Sequence, residues 1–375
     1  MDLRKIRDQL DVIDGEIVRL FEERMRLVGE VAEFKIATGK QVFDKEREQA
    51  KIASVRSLAH GAFNQQAAEE VFTQLMTISR RFQYRLLEEH GQKMELGFKQ
   101  VDCLPLKNAR VVYQGVEGAY SHEAALTYFG EGADVRHVKT WEDAMEEVES
   151  GRADYGVIPI ENSSAGAVSD NYDLLLRHDN VIVAEICIPV NHMLLGLPGA
   201  SLEDIQTVYS HPQALMQSSQ YLNARPQWQQ FSVVNTAVAA KKVLEDQERS
   251  QAAVASQAAG KLYGLVPLAQ GINHNKNNTT RFLILAKDPI YCRDASKISL
   301  CFELPHKSGT LYNMLGNLIY NGVNMRMIES RPIPGKKWEY RFFVDIEGNL
   351  SEPSIQNALK CVAEEAANMK ILGNY

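Results

Sequence analysis

Arg24 breaks an otherwise apolar helical stripe. Ile17, Leu20, Leu27 and Val31 recur at the spacing of one helix face, and a permanent cation stands among them where a core residue is expected. Lys35 comes eleven residues later, about 20° around the same helix, so two cations look into one interior and call for an anion. Asp44, Arg47 and Glu48 share one surface of a second helix at i, i+3 and i+4, and Ser79 and Gln83 stand one turn apart on a third. Arg7 adds a further cation near the start of the first helix. Together these side chains could align a small polyanion with neither a metal nor a covalent nucleophile. Taken singly, Arg7, Asp44, Arg47 and Glu48 also read as solvated helix-surface charges.

A second group lies on loops. Gln114-Gly115-Val116-Glu117-Gly118-Ala119-Tyr120-Ser121-His122 comes after a strand-like run and precedes a helix, so its glycines permit a tight turn and Ser121 falls near a helix N-terminus suited to an anion. The stretch from Pro159 to Gly166 ends another strand with Glu161, Asn162 and Ser163. Ser210-His211-Pro212-Gln213 does the same farther on, His211 reading either as a cleft residue or as a helix cap. Asn278-Thr279-Thr280-Arg281-Phe282 brings hydroxyls and a cation beside a further strand. Polar residues gathered at strand ends are what a cleft requires. A third group comprises Ser308-Gly309-Thr310-Leu311 at a strand-to-helix junction and Glu329-Ser330-Arg331-Pro332 at the end of a strand.

The elements that must carry these residues are set by periodicity. A helix over 3–37 is about 50 Å long, too long for its own small domain to cover, and implies a partner chain. The turn at Thr38-Gly39-Lys40 ends it. Helices are expected from Asp44 to about Leu58 and from Ala67 to about Glu89, with Gly61 and Asn64 in the break between them. From Ala109 short apolar runs alternate with helices: strands at 110–113, 155–160 and 181–184 with helices at 121–129, 141–149 and 167–176. A second set has strands at 207–209, 231–234 and 252–255 and helices at 212–223 and 236–247, so two α/β lobes with a cleft between them are expected. The end reads as strand 297–304, helix 309–321, strands 323–331 and 338–347, helix 353–366 and a short strand near 369–372, a βαββαβ order.

Composition bounds the rest. At about 150 residues per domain, 375 residues predict two or three domains. The first 95 positions hold 33 of the 89 charged side chains, which sets the leading helical segment apart from the remainder of the chain. A net charge of -7 argues against bulk nucleic-acid binding and leaves room for a local cationic pocket. Five cysteines without a CxxC pattern predict reduced thiols and no metal site. No run approaches 18 apolar residues, so a soluble cytoplasmic protein without a membrane span is expected.

Residues 1–90 resemble the all-helical chorismate mutase domain, an intertwined dimer, through Arg7, Arg24, Lys35, Asp44, Arg47, Glu48, Ser79 and Gln83. The resemblance implies rearrangement of chorismate to prephenate: Arg24 and Arg47, with Arg7 from a partner chain, clamp two carboxylates. Lys35 and Gln83 donate to the ether oxygen, and Glu48 and Asp44 orient the ring hydroxyl and nearby cations. Residues 109–287 look like prephenate dehydratase, which converts prephenate to phenylpyruvate with loss of water and CO2. There Thr280 is implied to assist departure of the ring hydroxyl and Arg281 to lie near a substrate carboxylate. Tyr120, Ser121, Glu161, Asn162, Ser163, Ser210 and His211 are implied to shape the cleft. Gln114-Gly115-Val116 departs from the family form, whereas Gly118, Tyr120, Ser121 and His122 agree with it.

The last segment resembles an ACT domain, in which Glu329-Ser330-Arg331-Pro332 marks phenylalanine control. Thr310 and Leu311 depart from the family's Gly-Ala-Leu-Val form. The fold class expected is therefore multidomain: an all-α intertwined dimeric mutase domain at 1–92, a linker at 93–108, a two-lobed, periplasmic-binding-protein-like α/β dehydratase domain at 109–287, and an α+β ACT domain at 296–375. The function implied is a bifunctional enzyme inhibited by L-phenylalanine, without cofactor or metal, acting as a homodimer, with pairing into tetramers left open. A reading of another class is a non-catalytic aromatic-metabolite or amino-acid sensor whose helices only dimerise.

Overall fold

A computed structural model describes residues 2–91 and 95–375 of the chain, so the boundary expected between 92 and 93 lies outside the described residues. Asp2 opens helix α1 (Leu3–Thr38) by accepting from the Arg4 amide at 3.0 Å, and Gly39, at φ 67, closes it in a conformation that strains other residues. Asp44 caps α2 (Lys45–Leu58) by accepting from the Arg47 amide at 3.0 Å. Helix α3 (Ala62–Glu89) starts five residues before the expected Ala67. The cause is local: the Asn64 amide donates to His60 O at 3.0 Å and the Gln65 amide to Ala59 O at 3.2 Å, so these polar side chains satisfy carbonyls outside the helix instead of breaking it.

The α/β part runs β1 (Lys99–Val101), β2 (Arg110–Gln114), α4 (Tyr120–Phe129), β3 (Asp134–Val138), α5 (Trp141–Glu149), β4 (Tyr155–Asn162), β5 (Gly166–Ala167), α6 (Ser169–Arg177) and β6 (Val181–Pro189). It continues with β7 (Met193–Gly196), β8 (Thr207–Ser210), α7 (Pro212–Gln217), α8 (Ser219–Asn223), β9 (Gln229–Ser232), α9 (Thr236–Asp246), β10 (Gln251–Ala255), α10 (Gln257–Leu262) and β11 (Val266–Ala269). Strands β12 (Thr279–Ala286) and β13 (Ile290–Cys292) close it. Then come β14 (Lys297–Glu303), α11 (Thr310–Ile319), β15 (Met325–Pro332), β16 (Tyr340–Glu347), α12 (Pro353–Glu365) and β17 (Asn368–Asn374), in the βαββαβ order. The described chain parts into two compact units, one of residues up to Leu96 with Cys301–Met369, the other of Gly97–Leu300 with Lys370–Tyr375. The expected segment 296–375 is shared between these two units.

In the first unit α1 packs on α3, yet Ala32 is the one buried residue of α1. Its apolar stripe stays in solvent, with Leu3, Leu10, Ile13, Ile17, Leu20 and Leu27 each 47–60% exposed. A small core of Ala32, Val42, Tyr84, Leu87 and Cys361 joins α1, α3 and α12.

The second unit holds two lobes. In the first, β2 lies between β3 and β4 in parallel, and β12 runs antiparallel to both β4 and β6. Val111, Tyr113, Val157, Phe282 and Ile284 form its core against α4. In the second lobe the order is β11-β7-β10-β8-β9, with apolar clusters on both faces that explain the nearly continuous Ala/Val run of β10. The chain passes between lobes twice, at 190–192 and 270–278. These crossovers are tied by Val190 N–H donating to Asn278 O at 2.8 Å and Ile272 N–H to His192 O at 3.0 Å. Strand β9 ends at Ser232, two residues before the expectation, because its register with β8 stops at Ser210 and leaves Val234 79% exposed. The helix expected over 212–223 is interrupted at Ser218. Strand β3 escapes notice in the sequence because its charged residues face solvent at a sheet edge.

Candidate functional sites

In the helical segment the cations are held by neutral oxygens. The Arg24 guanidinium donates to Ser79 Oγ at 2.5 Å and Leu75 O at 3.2 Å, and Ser79 donates its own proton to Leu75 O at 2.6 Å. Lys35 Nζ donates to Val42 O at 2.6 Å. Burial pushes both cations below their ordinary pKa values, and Asp44 and Glu48 oppose that push at Lys35. Gln83 is buried, with one amide hydrogen on Ser79 O at 3.2 Å and its Oε1 without a partner. Arg24, Ser79, Gln83 and Lys35 therefore point inward, and Asp44 and Arg47 stand exposed at the start of α2. Arg7 is not brought to them: it lies 17 residues from Arg24 along one straight helix, about 25 Å.

The sequence reading missed Arg80. This guanidinium is only 5% exposed, pairs with Glu48, reaches Glu365 of α12 at 3.1 Å, and lies over the Phe43 ring. Its signal was available: it falls one residue after Ser79, on a helix whose buried set also includes Met76, Ser79 and Gln83. Glu48, Arg80, Thr77, Lys307 and Thr310 line one cavity of about 640 Å³. Nearby, Glu364 accepts from the Tyr84 hydroxyl with one oxygen, while the other is buried without a partner. Desolvation pushes this carboxyl up to about 8.

In the α/β unit a cavity of about 320 Å³ lies where the lobes meet, and no Lys, Arg, Asp or Glu is among its described lining residues. Thr280 and Phe282 reach it from β12, Asn162 from β4, Tyr120 and Ser121 from the start of α4, and His211 from the start of α7. Asn162 is buried. Its Oδ1 accepts the backbone N–H groups of Ser164 and Ala165, each at 3.0 Å, and its Nδ2 donates to Thr280 Oγ and Asn278 Oδ1, each at 2.9 Å. His211 fills both readings offered for it: Nδ1 caps Gln213 N–H at 3.2 Å while the ring lines the cavity, and burial pushes its pKa down. Ser163 braces the loop, its Oγ accepting from Thr279 N–H at 2.9 Å.

Four expected cleft residues do not line the cavity: Ser163, which braces the loop, and Glu161, Ser210 and Arg281. Along β12 alternate side chains face opposite ways, so with Thr280 and Phe282 in the cavity Arg281 points to the other face. There it pairs with Glu161, its register partner on β4, at 3.4 Å and with Glu185 at 3.3 Å. Ser210 is fully buried and donates to Val254 O at 2.6 Å inside the second lobe. The cavity adds residues not anticipated: His192, Gln217, Asn235 and Thr236. Gln217 had a readable signal, since it stands four residues after Gln213 on one helix face.

Near the end of the chain, Gly309 at φ 83 precedes α11, and Thr310 Oγ donates to Pro305 O at 3.1 Å and Lys307 O at 3.0 Å. Ser308 is exposed and Leu311 half-buried. Glu329, Ser330, Arg331 and Pro332 lie on β15, the edge strand beside β16, opposite Phe343, Phe342, Arg341 and Tyr340.

A helical segment with inward cations, joined in one chain to a two-lobed α/β cleft, defines a multidomain enzyme of the mutase and dehydratase class. Residues 6–84 match the model of chorismate mutase type II and residues 111–290 that of prephenate dehydratase. The bifunctional chorismate mutase/prephenate dehydratase of Aquifex aeolicus is 34% identical over 380 residues, spanning 100% of this chain and 98% of the relative. A solved prephenate dehydratase of Arthrobacter aurescens, in complex with L-Phe, superposes with TM-score 0.65 at 27% identity, over 71% of this chain and 89% of that one. A protein described as GqqA, a novel type of quorum quenching acylases, gives TM-score 0.65 at 32% identity, over 71% of this chain and 97% of that one. The chain belongs to the bifunctional chorismate mutase/prephenate dehydratase family. No helix among the described residues is long and apolar enough to cross a membrane.

Two measurements probe these geometries. Asn162→Ala removes the donor on Thr280 and the tie to Asn278. Phenylpyruvate formation from supplied prephenate should fall about 100-fold while prephenate formation from chorismate is unchanged, as read by absorbance assays of both steps. For Glu364, the folded state keeps a proton that the unfolded chain releases above about 4.5, so the stability it confers is present below that pH and is gone once pH passes about 8. Glu364→Gln should flatten this fall, read as a smaller difference between urea midpoints at pH 5 and pH 8 than the parent shows.

Proposed function

We propose that the two family activities divide between the sites as their chemistry dictates. In the helical segment chorismate is held by its two carboxylates against Arg24 and Arg47, with Arg7 supplied by a second copy of the chain. Lys35 and the second amide hydrogen of Gln83 donate to the ether oxygen as the C–O bond breaks, while Glu48 and Asp44 orient the ring hydroxyl and the surrounding cations. The reaction is intramolecular, so holding the reactive conformer and stabilising charge on the oxygen suffice. Ser79 acts through Arg24, which it holds at 2.5 Å. The exposed stripe of α1 and the distance from Arg7 to Arg24 support an intertwined homodimer as the working form.

In the α/β cleft prephenate loses carboxylate and hydroxyl together. The bond to CO2 breaks, its electrons enter the ring, the ring C–O bond breaks, and one proton accompanies the hydroxyl out as water. Thr280 carries this reading: its Oγ accepts from Asn162, and among the described residues nothing takes its proton, so the O–H is left to donate to the departing hydroxyl. The substrate's charge meets helix N-termini in place of cations, with Ser121 at the start of α4 and Thr236 at the start of α9 both lining the cavity. Glu161, Ser163 and Ser210 support the walls. Arg281, paired with Glu161 and Glu185, fixes strand β12 from the face away from the cavity.

The segment 296–375 is read as an ACT domain through its βαββαβ order. Ser308–Leu311 and Glu329–Pro332 are its phenylalanine-binding stretches, and L-phenylalanine restrains flux through the enzyme. Five free cysteines fit a cytoplasmic setting.

Feeding chorismate to the purified chain and tracking chorismate, prephenate and phenylpyruvate together, with and without L-phenylalanine, tests the whole reading; a chain that binds these compounds without turnover would be a sensor instead. Lys35→Ala should still consume supplied prephenate, and Thr280→Ala should still produce it. Ile17→Asp on the apolar stripe should yield monomers in light scattering and lower mutase turnover at least tenfold. Monomers with full mutase turnover would exclude a shared site.

A further inference from the structure

Backbone N–H groups fix the hydrogen-bond polarity of the cleft. They only donate, so the Ser164 and Ala165 amides identify the atom of Asn162 facing them as its oxygen. The other end of Asn162 is then a donor, and it meets Asn278 Oδ1 at 2.9 Å. That turns Asn278 so that its Nδ2 donates to Gln217 Oε1 at 3.1 Å. Gln217 Oε1 also lies 3.0 Å from His192 Nε2, which must carry a hydrogen to bond there. With the hydrogen on Nε2, the other ring nitrogen accepts, and Nδ1 takes the Tyr120 hydroxyl at 3.2 Å; burial pushes the His192 pKa down. His192 is 2% exposed and sits on one crossover between lobes; its own N–H donates to Asn273 Oδ1 on the other at 3.1 Å.

We propose that His192 is a positioning residue of the dehydratase cleft: it couples Tyr120 of the first lobe to Gln217 of the second and holds the Gln217 amide with both N–H groups toward the substrate. This rests on assigning the dehydration to this cleft. Among the described residues nothing accepts the Gln217 amide hydrogens, so they are left for an oxygen of the substrate. Rotating that amide would set its hydrogens against the Asn278 and His192 donors, and His192 is what doubles that penalty. Both ring nitrogens are engaged with protein groups, so the imidazole moves no proton in the reaction.

The test uses the full-length chain with His192→Gln, which keeps a donor and an acceptor at the ring's place, and His192→Leu, which keeps neither. Prephenate turnover should fall about 30-fold in His192→Leu and recover to within about threefold of the parent in His192→Gln. Mutase turnover in the same samples reports folding and should stay unchanged. The pH profile of kcat/KM should keep the same limbs in His192→Gln. Loss of a limb would make His192 an acid or base and overturn the positioning role, as would equal impairment of both variants or full activity in His192→Leu. If His192→Leu loses both activities through misfolding, the His192→Gln rate and pH profile still decide. Thr280→Ala with undiminished dehydration would instead remove the site assignment itself.

Discussion

Two backbone N–H groups, those of Ser164 and Ala165, set the polarity of one wall of the cavity between the lobes through one buried amide. Asn162 can satisfy them only with its oxygen, and every polar side chain behind it inherits an orientation in turn. The tight loop after β4 therefore helps to set the cavity's polarity, since it turns those amides toward Asn162. The cost of a misoriented buried amide, about 1–3 kcal/mol for each donor left facing a donor, is what makes the arrangement single-valued.

The helical site solves a different problem. Its cations are fixed in advance by neutral oxygens: Ser79 and Leu75 O for Arg24, Val42 O for Lys35. Neutral partners leave the positive charge uncancelled, whereas carboxylate partners would neutralise it. Arg80 is the exception, engaged by Glu48 and Glu365, and it serves to steady a carboxylate beside the cluster.

Much of this could be read from the residues. The 3.6-residue repeat of α1 and the cation at Arg24 were visible because a helix face is written directly in sequence, and so was the exposed stripe as a surplus of apolar residues. Strand-end polar clusters at Asn162, His211 and Thr280 announced a cleft. Arg281 and Ser210 were misplaced for one reason: a motif names neighbours in sequence, while a strand sends neighbours to opposite faces, and only register tells which face is the cavity. His192 stayed hidden because its place in the cavity depends on how two separate crossovers meet as the lobes close, whereas Arg80, one residue after Ser79 on the same helix, was legible.

The cavity lined by neutral groups and helix ends has a bearing on ionic conditions. Interactions between exposed charges are largely screened beyond a Debye length of about 8 Å at physiological ionic strength, and carboxylate or lysine ligands change charge with acidity. Backbone dipoles and amides have no such titration and sit inside the walls they belong to. Across changing salt these neutral groups present the same face, and any response of the lining to acidity is left to the imidazoles of His192 and His211.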